Sequence, residues 1–120
     1  PHYIGSEAKV ENSMITEGCE IDGEIDYSVL FANVTVEEGA EVTYSIVMPG
    51  TVVKKGAKVR YSIVAENAVI DEGAQVGEKP ENMADIKDWG VTVIGSGVHI
   101  GKGAKVEPKV MADSDVGGEE

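Results

Sequence analysis

Two histidines are the residues of this sequence best suited to proton transfer. They are His2 and His99, and His99 lies inside the apolar segment Val98-His99-Ile100. An imidazole titrates near neutral pH, so His99 could act as a general base. His99 has no evident carboxylate partner nearby in the sequence. We therefore expect an ordinary surface position for it.

Metal and nucleotide chemistry find little support in this sequence. Two histidines and one cysteine, Cys19, are too few for a three-histidine zinc site or a cysteine-based one. No P-loop and no Gly-x-Gly-x-x-Gly sequence occurs, and regular turns explain the glycines between Gly95 and Gly103. We expect no catalytic, cofactor-binding or metal-binding residue within this chain.

Charge is distributed unevenly along the chain. The sequence has 22 acidic and 10 basic residues, a net charge of −12 that repels nucleic acids and anionic membranes, so neither is an expected partner. Four of the basic residues nevertheless cluster, and they are Lys54, Lys55, Lys58 and Arg60. We regard these four as candidate residues for binding an anionic effector, such as a sugar phosphate or a nucleotide.

A repeat of about 17 residues organises most of the chain. Tyr-Ser pairs begin at Tyr27, Tyr44 and Tyr61, and Gly-Ala pairs recur with the same period. Apolar residues follow at spacings of six, five and six, and they are Val36, Val42, Val47, Val53, Val59, Val64, Ile70 and Val76. The pattern returns at Ile94, Ile100 and Val106, and a slightly shorter coil extends it backward through Ile4, Val10 and Ile15. This spacing excludes amphipathic helices as the main element.

One apolar residue in every six fits a short strand followed by a tight corner. Three such sides close a triangular coil of about 18 residues, and stacked coils bury one another's aliphatic side chains. The sequence therefore predicts an all-β fold, a parallel β-helix of about five to six triangular coils over residues 1–111. We take a left-handed winding from the resemblance to hexapeptide-repeat proteins, because parallel crossovers are otherwise right-handed.

Two segments depart from the repeat. Residues 78–90 contain charged residues, Pro80 and the only tryptophan, Trp89, and we expect them to form an excursion from one corner. Trp89 would either anchor an interface or cover the β-helix. Residues 112–120 lack apolar periodicity, so we expect a mobile acidic tail.

The repeat also offers a structural role for the basic cluster. Aligning the coils on their Gly-Ala pairs places Glu38 and Glu41 beside Lys55 and Lys58, and Lys55 beside Glu72. Opposite charges one strand apart contribute about 0.2 to 1 kcal/mol per pair. We favour this charge ladder over an effector site, and the two interpretations make different predictions.

Six segments, taken in order, carry a resemblance to a known enzyme family. They are Val10–Ser13, Gly18-Cys19, Ser28–Phe31, Ser45–Pro49, Val69–Asp71 and Trp89–Gly95. Together they resemble the C-terminal left-handed β-helix domain of glucose-1-phosphate adenylyltransferase, also called ADP-glucose pyrophosphorylase. In plant-type members of that family, activator-binding lysines lie at positions that match Glu72 and Gly95 here. This departure argues against a plant-like activator site.

The resemblance implies a larger enzyme that converts ATP and glucose 1-phosphate to ADP-glucose and pyrophosphate, with magnesium, in bacterial glycogen synthesis. Its catalytic residues would lie in an N-terminal nucleotidyltransferase domain that this sequence lacks. The chain begins at Pro1 without a methionine, and we expect it to be a piece of that longer protein. It would act in assembly and regulation, with the catalytic domain and the other subunits of a tetramer as partners. A single cysteine fits a cytoplasmic location.

Two alternatives stay open at this point. A noncatalytic regulatory paralogue of the same enzyme would have a similar β-helix. A hexapeptide acyltransferase would be a trimer that depends on His99.

Overall fold

The repeat folds into very short strands separated by tight corners. The structure, a computed structural model, describes residues 3–5, 8–77, 91–106, 111–112 and 114–116. In chain order the strands are β1 (Tyr3–Ile4), β2 (Lys9–Glu11), β3 (Met14–Ile15), β4 (Glu20–Ile21), β5 (Glu24–Asp26), β6 (Val29–Leu30), β7 (Thr35–Val36), β8 (Glu41–Thr43), β9 (Ile46–Val47), β10 (Val52–Val53), β11 (Lys58–Arg60), β12 (Ser62–Val64), β13 (Val69–Ile70), β14 (Gln75–Val76), β15 (Thr92–Ile94), β16 (His99–Ile100), β17 (Lys105–Val106) and β18 (Met111–Ala112).

The strands assemble into three sheets of six strands each. Sheet A contains β1, β4, β7, β10, β13 and β16; sheet B contains β2, β5, β8, β11, β14 and β17; sheet C contains β3, β6, β9, β12, β15 and β18. All neighbouring strands in these sheets pair in parallel, each with the equivalent strand of the next coil. The predicted three-sided parallel β-helix is confirmed, and its left-handed winding stays a prediction.

The pairing register reproduces the predicted repeat, with two changes of length. In a regular coil Val42 of β8 pairs with Val59 of β11, whereas Val10 of β2 pairs with Ile25 of β5 across a shorter coil. Ile63 of β12 pairs with Val93 of β15, so the residues added between these strands leave the register of sheet C intact. The predicted excursion, residues 78–90 with Trp89, lies outside the described residues.

The core is a column of aliphatic side chains that point toward the axis of the β-helix. Val59 is fully buried and lies in register between Val42 and Val76. The same holds for the inward residue of most strands, and the fully buried members include Ile21, Leu30, Val36, Val47, Val53, Val64, Ile70, Ile94 and Ile100. Cys19 is also buried, and its thiol donates a hydrogen bond to the Phe31 carbonyl at 3.1 Å. The predicted inward set is therefore confirmed from Val36 to Val106, whereas in the first coil Val10 and Ile15 are partly buried and Ile4 is 40% exposed.

The tight corner between β4 and β5 explains the shorter coil. Asp22 and Gly23 alone connect these strands. A Cβ atom at Gly23 would overlap the carbonyl oxygens of Ala40 and Glu37 in the next coil. The φ angle of Gly23 lies outside the left-handed region, so space alone requires glycine there.

Residues beyond the predicted end of the repeat still pack against the preceding coils. Ala112 is buried in β18, and Val116 forms a parallel bridge to Ile100. These contacts belong to the predicted tail, 112–120, and the division of the chain near residue 111 stays a prediction. No helix within the described ranges is long and apolar enough to cross a membrane.

Candidate functional site

A column of tyrosines occupies the corner between sheets B and C. Tyr27, Tyr44 and Tyr61 have φ angles of 48°, 48° and 49°, a left-handed conformation that bulky residues rarely adopt. Their rings stack with centroids 4.9 Å and 4.8 Å apart and interplanar angles of 15° and 6°. Backbone strain of this kind costs about 1 to 3 kcal/mol per residue and persists only where the surroundings enforce it, as at functional sites.

Serines immediately after the tyrosines hold this corner in place. Ser28, Ser45 and Ser62 are buried, and each hydroxyl donates to the carbonyl two residues earlier, at 2.9 Å, 2.8 Å and 2.8 Å. The Ser28 hydroxyl also accepts the Ser45 backbone N–H at 3.1 Å, and the Ser45 hydroxyl accepts the Ser62 N–H at 3.2 Å. Because buried hydroxyls need such partners, this ladder fixes the backbone that presents the tyrosines.

The tyrosine rings differ in their exposure to solvent. Tyr27 is 52% exposed and Tyr44 is 41% exposed, whereas Tyr61 is buried at 5%. Burial raises the pKa of the Tyr61 phenol, and the neighbouring Tyr44 raises it further. Tyr61 is therefore neutral at physiological pH.

The outward side of sheet C is apolar throughout. Its outward residues, paired from strand to strand, are Met14, Val29, Ile46, Ile63, Val93 and Met111. Met14, Ile46 and Met111 are 67%, 38% and 70% exposed. Single exposed aliphatic residues are ordinary, but a contiguous row is typical of an interaction surface. We call this row, together with the tyrosine column, the apolar face; an open groove along its middle coils has a volume of about 280 Å³.

The tyrosine repeat was recognisable in the sequence, whereas the apolar face was not predicted. A signal for the face was present, because the residue two positions after each tyrosine is Val29, Ile46 or Ile63. Alternation along the strands places Ile46 and Ile63 outward, because each precedes a predicted inward residue, and the structure adds that such residues stack in one continuous row.

Sheet B is the charged side of the β-helix. Glu41 pairs in register with Lys58, and Lys58 with Gln75, as the charge ladder predicts. The ion pair formed by Glu41 is with Arg60, whose Nη2 lies 3.1 Å from Oε2 of Glu41. Arg60, a candidate effector residue, therefore takes part in a structural contact.

The four candidate effector residues lie on one coil but not on one surface. Lys54 and Lys55 occupy the corner after β10, and the Lys55 backbone N–H donates to Oε1 of Glu37 at 3.1 Å. Lys58 and Arg60 flank the inward Val59 on β11, so both point outward from sheet B. The effector role of these four residues stays a prediction.

The Glu41–Arg60 pair makes a measurable prediction. Replacing Arg60 with Glu should lower the free energy of unfolding by about 0.5 kcal/mol, because the two side chains are about one third exposed and solvent screens them. The double variant Glu41→Arg, Arg60→Glu should recover much of this loss, and 1 M salt should shrink the coupling. Urea unfolding at two salt concentrations measures it; zero coupling at low salt would contradict the ion pair.

His99 has a carboxylate partner that the sequence did not reveal. Its Nε2 lies 2.9 Å from Oδ2 of Asp71, and its backbone N–H donates to Oδ1 of Asp115 at 2.8 Å. Asp71 is 28 residues away in sequence but one coil away in space, beside His99 on sheet A. His99 lies at the surface, as expected, and its carboxylate partner is distant in the sequence because neighbours in a β-helix are one coil apart.

Asp71 is held as a carboxylate by hydrogen bonds. The backbone N–H of Glu72 donates to Oδ1 of Asp71 at 2.7 Å, and this bond, followed by the bond to His99, lowers the pKa of Asp71. The Lys54 charge lowers it further. An acid with a lowered folded pKa stabilises the fold above its unfolded pKa of about 3.9, and this contribution disappears as pH falls through the folded value.

Asp71→Asn should therefore lower the melting temperature at pH 6. We expect the difference from the unmodified chain to shrink as pH falls below about 4, where Asp71 becomes protonated first in the unfolded chain and then, at lower pH, in the folded chain. Thermal unfolding followed by circular dichroism across this range measures the effect. A difference in melting temperature that stays constant down to pH 2 would contradict the assignment.

Metal ligation finds no support in the described part of the chain, where no group of three or more His, Cys, Asp or Glu side chains could hold an ion.

The repeat itself is shared with a known family. The sequence matches the family model described as GlmU-like, C-terminal hexapeptide, over residues 2–95. The chain belongs to this hexapeptide family.

Curated relatives of this GlmU-like hexapeptide domain agree with the resemblance seen in its sequence. It is 60% identical over 40 residues to proteins named glucose-1-phosphate adenylyltransferase from Bacillus thuringiensis (strain Al Hakam), Bacillus mycoides (strain KBAB4) and Bacillus anthracis. The matched stretch covers 33% of this chain and 11% of each relative. The matched stretch is thus a small part of each of these longer relatives.

Proposed function

We propose that this domain serves a glucose-1-phosphate adenylyltransferase in assembly and regulation and does not catalyse the reaction by itself. The observation that carries the proposal is the 60% identity over 40 residues to enzymes of that name. The transfer of an adenylyl group from ATP to glucose 1-phosphate would take place in another part of the longer protein. Magnesium would also be bound there, since the described residues do not fit a metal site.

The structure supports a scaffolding role through its rigidity and its two dissimilar sides. Parallel pairing in all three sheets ties each coil to the next, so the β-helix holds its surfaces at fixed positions. One surface is the apolar face on sheet C, and another is the charged side on sheet B. A rigid domain with one apolar and one charged side suits contact with a catalytic domain and with further subunits. We also propose that the longer protein forms a tetramer and is located in the bacterial cytoplasm.

The proposal is tested by comparing the isolated chain with the full-length parent protein. We expect the isolated chain to release no pyrophosphate from ATP and glucose 1-phosphate with magnesium present, and the parent protein to release it. A parent truncated before Pro1 should lose tetramer assembly, measured by sedimentation, and its response to sugar-phosphate or adenosine-phosphate effectors. A parent without adenylyltransferase activity but able to regulate a catalytic subunit would instead be the noncatalytic paralogue.

The basic cluster is the first place to test for an effector site. Lys55 is exposed at the corner after β10, and Lys58 lies on the neighbouring strand. If the cluster binds a phosphate-bearing effector, Lys55→Ala in the parent enzyme should raise the effector concentration needed for half-maximal response. Lys102→Ala, at the equivalent exposed corner two coils away, is the matched control.

The pair of His99 and Asp71 favours a second candidate function. A histidine held by a carboxylate is the arrangement of a general base, and hexapeptide acyltransferases use a histidine in this way. This candidate predicts a trimer that releases free thiol from an acyl coenzyme A and loses the activity in His99→Ala. Thiol release by the unmodified chain, abolished by that substitution, would replace the first proposal.

A further inference from the structure

We propose that His99, Asp71 and Asp115 form a pH-dependent latch that holds residues 114–116 on the last coil of the β-helix. The latch closes when the His99 ring takes up a proton and opens when the ring is neutral. It belongs to the chain itself and does not rest on the proposed function. Its grounds are the contacts that His99 makes with the coils on either side of it.

Residues 114–116 continue sheet A beyond β16 through a single paired residue. Val116 forms a parallel bridge to Ile100, and its N–H donates to the His99 carbonyl at 3.0 Å. The Val116 carbonyl accepts the Gly101 N–H at 2.8 Å. An end segment held by few hydrogen bonds opens more readily than a strand inside a sheet. One additional contact can therefore change how often this segment is seated.

Asp115 contributes a side-chain contact at a position where a backbone contact is usual. Within sheet A the outward residue of a strand donates its N–H to a carbonyl of the next coil, as Val52 does to Ala68 at 3.0 Å. In β16 the equivalent donor is the His99 N–H, and it donates to Oδ1 of Asp115 at 2.8 Å. A carboxylate thus takes the place of a carbonyl and brings a negative charge to the backbone of His99.

The ring of His99 is held from the opposite side by Asp71. Nε2 lies 2.9 Å from Oδ2 of Asp71, and because a carboxylate only accepts, the proton of the neutral ring is on Nε2. Nδ1 becomes a donor only when the ring is protonated, and among the described residues it has no hydrogen-bond partner. Nδ1 belongs to the same residue as the N–H that Asp115 holds, so Oδ2 of that carboxylate can accept the new proton.

The charges around His99 favour the protonated ring. Asp71 remains a carboxylate near neutral pH, because the bond from the Glu72 N–H and then the bond to His99 lower its pKa. The residue paired with His99 on β13 is the uncharged Val69. The other charged residues on the adjacent described corners are Lys54, Glu72 and Lys102. Protonation places a cation between two carboxylates, so the seated form gains as pH falls from about 8 to about 5.

The test measures hydrogen exchange of the Gly101 amide in the whole chain, because this amide bonds to the Val116 carbonyl of the seated segment. Protection factors, which remove the intrinsic effect of pH on exchange, are compared at about pH 5.5 and about pH 7.5. We expect about threefold to fivefold greater protection at the lower pH, the effect of a partly exposed charge pair. The Lys54 amide donates to the Ile70 carbonyl at the equivalent position two coils earlier, and its protection should not change.

Two substitutions should abolish the response of Gly101 to pH. His99→Gln removes the titrating ring, and Asp115→Asn keeps an acceptor for the backbone N–H but removes the charge. The matched control is Asp26→Asn, because Oδ1 of Asp26 accepts Nδ2 of Asn12 at 3.3 Å and so also joins two coils. This control should keep the full response, and melting curves establish that each variant is folded.

Three results would overturn the proposal. The first is equal protection of Gly101 at both pH values in the unmodified chain, and the second is a pH response that survives in His99→Gln. The third is a response that is lost in His99→Gln but kept in Asp115→Asn, because protonation would then act without Asp115. Hydrogen exchange depends on neither adenylyl transfer nor acyl transfer, so failure of either enzyme assay would leave the latch standing.

Discussion

Replacing Val59 with Asp should leave the chain unfolded at room temperature. Val59 is fully buried between Val42 and Val76, where a carboxylate would have neither water nor a cation as partner. Burying an unpaired carboxylate costs several kcal/mol, which is comparable with the whole stability of about 5 to 15 kcal/mol of a small domain. Loss of the β-sheet signal in circular dichroism and of a cooperative urea transition would register this result.

The matched control is the same substitution at Val52, which is the outward residue of β10. Val52 is partly exposed, and its side chain lies on the opposite side of the sheet from the buried Val53. Val52→Asp should therefore cost about 1 kcal/mol or less. Equal destabilisation by the two substitutions would mean that the inward and outward positions are assigned incorrectly.

Gly23→Ala should produce the second largest loss of stability. A methyl group at this position meets backbone carbonyls of the next coil, which cannot move without breaking the pairing of β5 with β8. We expect a loss of about 3 kcal/mol, at the upper end of the range for overpacked positions. Urea unfolding of the variant provides the measurement.

Gly56→Ala is the informative comparison, because it separates the cost of an unfavourable backbone conformation from the cost of a steric clash. Gly56 has a φ angle of +71°, but a Cβ atom there would have no heavy atom within 4 Å. The left-handed conformation alone should cost alanine about 1 kcal/mol. A greater loss from Gly56→Ala than from Gly23→Ala would show that the short corner has room to relax.

Much of the fold was predictable because the repeat encodes it several times. Each coil repeats the same inward aliphatic positions, so a position assigned incorrectly in one coil can be recognised from the equivalent positions in the neighbouring coils. The register of Glu41 with Lys58 followed from the Gly-Ala alignment alone. The handedness of the β-helix did not follow from this alignment, because the spacing of the inward residues is the same for left-handed and right-handed winding.

The candidate sites were less predictable than the fold. The contact between His99 and Asp71 joins residues separated by the irregular segment, so the period of the repeat did not indicate it. Arg60 could be recognised as basic, but its ion pair with Glu41 depends on the conformations of the two side chains. The apolar face was missed because the repeat was used only to assign inward positions, although alternation places Ile46 and Ile63 on the outward side.

The nearly constant sequence separation of paired strands has a consequence for how quickly the chain folds. Each pairing up to β14 closes a loop of one coil, as when Val59 pairs with Val42, so the entropy lost per closure does not grow as more coils are added. Where the repeat is interrupted the loop is longer, as when Ile63 pairs with Val93. The coils before β14 should therefore form in rapid succession, whereas the longer closures that join β15, β16 and β17 to the preceding coil should be the slowest steps.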